Sequence, residues 1–132
     1  MTFEDIQKEY NEDITWDEFN VSSKINLLAK YIVKYQNHYF GGLKKLNIIT
    51  QGLGKKYQEL YIYYKLDFEI KLKDQEIKTF IETNTEYLEL KTAKSKLENQ
   101  INYFEECMKN INSMRWDIKT YLDFEKFKQG IV

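Results

Sequence analysis

The chain has 132 residues, the size of one domain around one core. Its 20 basic and 21 acidic residues leave a net charge of −1, which is the total of neither a basic nucleic-acid binder nor an acidic tail. With 42% hydrophobic residues, no proline and only five glycines, the composition excludes wholesale disorder and favours long uninterrupted helices.

Residues 2–12 carry Phe3, Ile6 and Tyr10 at helical spacing, and Thr2 with Asp5 three residues on is a helix-start signature. Residues 13–20, with Ile14, Trp16 and Phe19, read as a loop or short turn that pins this helix to the body. From about 21 to 64 a heptad-like seam runs through Ile25, Leu28, Ile32, Tyr35, Tyr39, Leu46, Ile49, Leu53, Tyr57, Leu60 and Tyr64. Ser22 or Ser23 is its expected cap. Gly41, Gly42, Gly52 and Gly54 lie inside the seam. Each costs about 1 kcal/mol relative to Ala in a helix interior, so they predict a kink, a break near 41–42, or a place where another backbone or a ligand comes close.

Residues 66–72 switch to alternation through Leu66, Phe68, Ile70 and Leu72, which predicts an extended connector. Residues 76–81 form one or two helical turns, and Thr83, Asn84 or Thr85 caps the next helix. The second seam takes Leu90, Ala93, Leu97, Ile101, Phe104, Met108 and Ile111, and a last helix fits 114–129 with Gly130 as its stop.

The expected architecture is all-α, a single helical domain over 1–132. An acidic helix and loop (1–20) precede a long helical hairpin made of a basic helix (21–65), the connector (66–85), and a second long helix with a C-terminal helix (86–132). A two-helix hairpin buries little for its length, so its seams are expected to continue against neighbouring chains. Trp116, Ile118, Leu122, Phe124 and Phe127 offer more apolar surface than one small domain needs and are the expected oligomer contact.

Nothing in the sequence marks an enzyme, and no catalytic residue, metal or cofactor is expected. One Cys and one His exclude an internal disulfide and a Cys/His zinc cluster within the chain. Cys107 lies beside Glu105 and Glu106, acids that disfavour a thiolate, and His38 reads as a partly buried packing residue. GGLKK (41–45) and GLGKK (52–56) lack the spacing and the preceding strand of a phosphate loop. The acidic start has no apolar run of a signal peptide, and no stretch approaches the length of a membrane span.

The near-neutral total hides segregated charge. Residues 1–18 hold one Lys and seven acids, residues 19–66 hold eight Lys against Glu59 alone, and residues 67–132 hold eleven bases and thirteen acids. The basic helix interleaves Lys with Tyr, a composition able to neutralise phosphates and stack unpaired bases. Tyrosines on the seam also serve as core, and lysines on the other face are ordinarily solvated. Lys55 and Lys56, beside Gly52 and Gly54, are the first candidates for phosphate contact, with Lys44, Lys45 and Tyr57 alongside.

Three stretches resemble the UvsY recombination mediators of T-even-type bacteriophages: MTFEDIQKEYNEDI at the start, EIKTFIETNTEYLEL (76–90), and MRWDIKTYLDFEKFKQGI (114–131). The last is similar to the family pattern R-x-aromatic-x-I-K … F-x-x-G through Trp116, Ile118, Lys119, Phe127 and Gly130, with Arg115 one place later than the pattern has it. The resemblance is colinear over nearly the whole chain. It implies a non-enzymatic helical protein that forms ring-like homo-oligomers in the cytoplasm of an infected bacterial host and binds single-stranded DNA. It further implies help to a RecA-type recombinase in displacing a single-strand DNA-binding protein. The family's basic DNA-binding stretch falls on Leu53–Tyr57, where Lys56 matches, Lys55 substitutes for another basic position, and Gly54 replaces a basic residue. A structural helical oligomer, such as a phage assembly adaptor without DNA binding, is the alternative.

Overall fold

The computed structural model describes residues 1–130; the final two, at the end of the 86–132 segment and of the 114–131 block, lie outside the described residues. The elements are α1 (Phe3–Asp13), α2 (Val21–Ile62), a π-helical turn (Tyr63–Asp67), α3 (Asp74–Glu82) and α4 (Thr85–Lys128). The fold is all-α, and no strand occurs among the described residues.

Local sequence accounts for the helix ends. Thr2 and Asp5 form a reciprocal capping box: Asp5 N–H donates to Thr2 Oγ1 at 3.1 Å and Thr2 N–H to Asp5 Oδ2 at 3.0 Å. Helix α2 begins at Val21, ahead of both serines expected to cap it. The turn before it is held instead by Asp17 and Asn20, whose side chains accept N–H bonds from each other's backbones at 2.9 and 2.8 Å. Asn84 caps α4, accepting the Tyr87 N–H at 3.1 Å. Gly130 follows α4 with φ +75°, the left-handed stop that glycine adopts without strain.

Three expectations change. Helix α2 runs unbroken for 42 residues through Gly41, Gly42, Gly52 and Gly54. Without proline every backbone donor is kept, so the glycines cost stability without breaking the helix. The expected C-terminal helix is the end of α4, which is continuous over 44 residues, because the seam of Phe104, Ile111, Met114 and Ile118 crosses 112–113 without a breaker. The 66–72 segment is not a strand: Leu66 belongs to the π-helical turn, and 68–73 is irregular. Its alternation records which side chains pack inward, Phe68 and Leu72, while Leu66 and Ile70 are exposed. With no partner strand, extended pairing has nothing to hold it.

The chain divides into two compact units. The first takes Met1–Phe40 and the described residues from Gln100 onward. Its core joins Tyr10 of α1, Val21, Leu28 and Tyr35 of α2, and Phe104, Cys107, Ile111, Met114 and Ile118 of α4. Trp16 of the loop packs edge-on against Tyr121, so this loop pins α1 as expected. His38 is half-buried and stacks on Phe104 at 5.3 Å.

The acidic N-terminal block docks on this chain's own basic helix. Lys34 Nζ reaches Glu9 Oε1 and Asp13 Oδ2, both at 2.5 Å. Partial burial works against the Lys34 charge, but the bonds to Asp13 and Glu9 outweigh it and raise its pKa. The buried Tyr35 hydroxyl donates to Asp13 Oδ2 at 2.8 Å. Lys24 Nζ donates to the carbonyls of Glu12 and Asp13, placing a cation at the end of α1, which has no basic residue in its own last turn.

The second unit, Gly41–Asn99, has a smaller core of Leu60, Ile77 and Ile81, with Tyr57, Tyr61, Tyr64, Leu72 and Tyr87 packed on it. Phe68 and Phe80 close it with Tyr64, their ring centroids 5.3–5.7 Å apart.

Candidate nucleic-acid interface

The lysines singled out by the sequence all lie on the second unit's part of α2. Lys44, Lys45 and Lys55 are exposed, and among the described residues none of the three has an ion-pair partner. Lys44 and Lys55 are eleven residues apart, three helical turns, so they share one stripe about 16 Å long. Lys56 differs. It is half-buried, ion-paired with Glu86 of α4, and 3.9 Å from Glu59 Oε2. The Glu86 bond raises the Lys56 pKa, and the same bond lowers that of Glu86. Of the expected site residues, Lys56 therefore already carries its counter-charge.

Tyr57, next in sequence, faces between helices. Its ring meets Tyr87 edge-on at 6.2 Å and lines a groove of about 440 Å³. On the α2 side the groove is walled by Thr50, Leu53, Gly54 and Tyr57. The α4 wall is Tyr87, Lys91, Lys94, Ser95 and Glu98. A side-chain carbon added at Gly52 or Gly54 would meet nothing within 4 Å, so these glycines face open space and no backbone crosses there. Lys91 Nζ sits 5.7 Å over the Tyr87 ring. A second hollow is lined by Tyr57, Gln58, Tyr61 and Ile62.

The structure thus brings Tyr57 to a groove and leaves Lys44, Lys45 and Lys55 outside it. Sequence reading missed the α4 wall. The available signal was Lys91 and Lys94 one helical turn apart, in a stretch read only for its apolar seam.

The expected oligomer contacts also separate. Trp116 and Phe124 are each 57% exposed and Phe127 74%, and Leu122 is half-buried. Ile118 is 0% exposed, wholly inside the first unit's own core, with no surface to offer a neighbour. Cys107 is buried, and desolvation pushes its thiol up to about 11, so it stays protonated at neutral pH. Among the described residues no group of three or more His, Cys, Asp or Glu could hold a metal ion. No described helix is long and apolar enough to cross a membrane.

These elements define an all-α protein built on two helices of more than 40 residues, with a lysine-bearing groove in one unit. Three crystal structures of the bacteriophage T4 recombination mediator protein UvsY have the same fold. Lattice type IV aligns with a TM-score of 0.86 at 19% identity, covering 97% of this chain and 99% of that one. Lattice type II gives 0.85 at 18% identity, covering 98% of each chain. Lattice type I gives 0.84 at 18%, covering 94% of this chain and 98% of that one. No protein-family model matches the chain, and no curated protein does.

Proposed function

We propose that this chain is a non-catalytic recombination mediator that binds single-stranded DNA. In this role it helps a RecA-type recombinase load onto strands covered by single-strand DNA-binding protein, in the cytoplasm of an infected bacterial host. The observation that carries the reading is the full-length fold likeness to a recombination mediator, at a TM-score of 0.86. The exposed Lys44 and Lys55 support it, as a cationic stripe that tracks a phosphate backbone, with exposed Lys45 beside it. Lys56 joins them when a phosphate displaces Glu86; Tyr57, the next residue, offers its ring in the neighbouring groove.

One chain makes few such contacts. A homo-oligomer, closed into a ring through the exposed Trp116, Phe124 and Phe127, repeats them, and repeated weak contacts add through effective concentration. Binding is then salt-sensitive and sequence-tolerant.

A structural oligomer without DNA binding is the second reading. It is favoured by the internal neutralisation of Lys34 and Lys56. Recombinase loading onto coated single strands, with and without this protein, separates the two. Stimulation that depends on Lys44 and Lys55 is expected, and its absence sinks the mediator reading.

A further inference from the structure

Most of the partly covered lysines of this fold have an oxygen at hand. Lys24 has the carbonyls that end α1, Lys34 has Glu9 and Asp13, and Lys56 has Glu86. Lys94 is the exception: it is half-buried in a groove wall, and among the described residues no carboxylate pairs with it. Lys91, one turn before it, is held over the Tyr87 ring. Two cations about 4.5 Å apart in rise thus stand on one wall of a groove lined by two tyrosines, Tyr57 on the α2 side and Tyr87 on the α4 side.

Resting on the mediator reading, we propose that this groove is a second contact line for single-stranded DNA, separate from the Lys44–Lys55 stripe. Lys91 and Lys94 hold phosphodiester oxygens, and Tyr57 and Tyr87 receive a base. The volume, about 440 Å³, lies in the range of small-ligand sites and admits a nucleotide unit. Gly54 leaves the α2 wall bare, with nothing within 4 Å of where a side chain would begin, so the strand approaches the backbone there. The Ser95 and Thr50 hydroxyls supply hydrogen bonds. Glu98, one turn beyond Lys94, repels phosphate and limits the anionic part of the ligand to the Lys91–Lys94 end. Cations with aromatic rings fit a nucleic-acid strand better than an acidic peptide, which has charge but no base to stack.

The test is anisotropy of a labelled oligo-dT strand with the full chain across a salt series. Lys91→Ala/Lys94→Ala is compared with Lys78→Ala/Lys96→Ala, which removes equal charge outside the groove, and circular dichroism checks that all variants keep their helices. The groove variant should bind about tenfold more weakly than the control and lose roughly 1.4 from the logarithmic salt slope, two single-strand phosphates' worth. Tyr87→Leu should weaken oligo-dT about tenfold while leaving an abasic strand nearly unchanged. A groove variant equal to the control overturns this inference and leaves the mediator reading standing. Displacement of the strand by poly-glutamate as readily as by oligo-dT overturns DNA as the occupant. Failure of the unaltered protein to bind the strand overturns both.

Discussion

Lys56 of α2 and Glu86 in the first turn of α4 form an ion pair, which joins two helices of the second unit beside the Tyr57–Tyr87 contact. Each partner shifts the other's pKa toward the charged form, Lys56 up and Glu86 down. Both lie near solvent, where such pairs add little to stability. The consequence is for binding: a phosphate reaching Lys56 competes with a carboxylate already in place.

Glu86→Gln removes that competitor. It is expected to strengthen oligo-dT binding about threefold or more at low salt, since one counter-charge is lost and one cation released. Titration by anisotropy checks it. Unchanged affinity would remove Lys56 from the DNA contacts.

Asp13 joins the acidic N-terminal block to the core. Asp13→Ala leaves the buried Tyr35 hydroxyl without its acceptor and is expected to cost about 1–3 kcal/mol. Tyr35→Phe removes the donor but leaves Asp13 with Lys34, so its cost is smaller, about 1 kcal/mol. Urea unfolding of both variants gives the order, and a larger loss for Tyr35→Phe contradicts it.

The C-terminal block contains two kinds of residue. Ile118→Ala should lose about 2–5 kcal/mol by opening a cavity in the first unit. Trp116→Ala with Phe127→Ala should change stability by about 0.5 kcal/mol or less per site, since both are exposed, and should lower the solution mass. Sedimentation showing an undiminished oligomer would exclude this face as the contact.

Alkaline stability should report on Cys107 and Tyr35. Burial raises the Cys107 thiol from 9.0 to about 11. Burial, then the bond to Asp13, raises the Tyr35 phenol above its ordinary range. Both fold as neutral groups, so their stabilisation is fully present below about pH 9. It is lost as pH rises, for the thiol through about 11, because the unfolded state releases protons first. The urea midpoint should stay flat from pH 7 to about 9 and then fall, less steeply in Cys107→Ala. Parallel curves would show that the buried thiol contributes nothing.

Periodicity and composition determined the helical class, the Thr2 cap, the Gly130 stop and the seams through Leu28, Tyr35, Leu60 and Ile111, and narrowed the α4 cap to three residues, of which the structure selects Asn84. Those features rest on local backbone chemistry and on spacings of three and four, and both are written in neighbouring residues. The sequence also separated an acidic start from a basic helix. Which acid meets which lysine was decided by tertiary structure, because Glu9 and Lys34 are 25 residues apart and Lys56 and Glu86 are 30 apart. Packing likewise drew Ile118 into the core and left Trp116 outside, although both stood in one apolar block. The groove of Tyr57, Tyr87, Lys91 and Lys94 exists only once two distant helix segments lie side by side, since neither wall is a site alone.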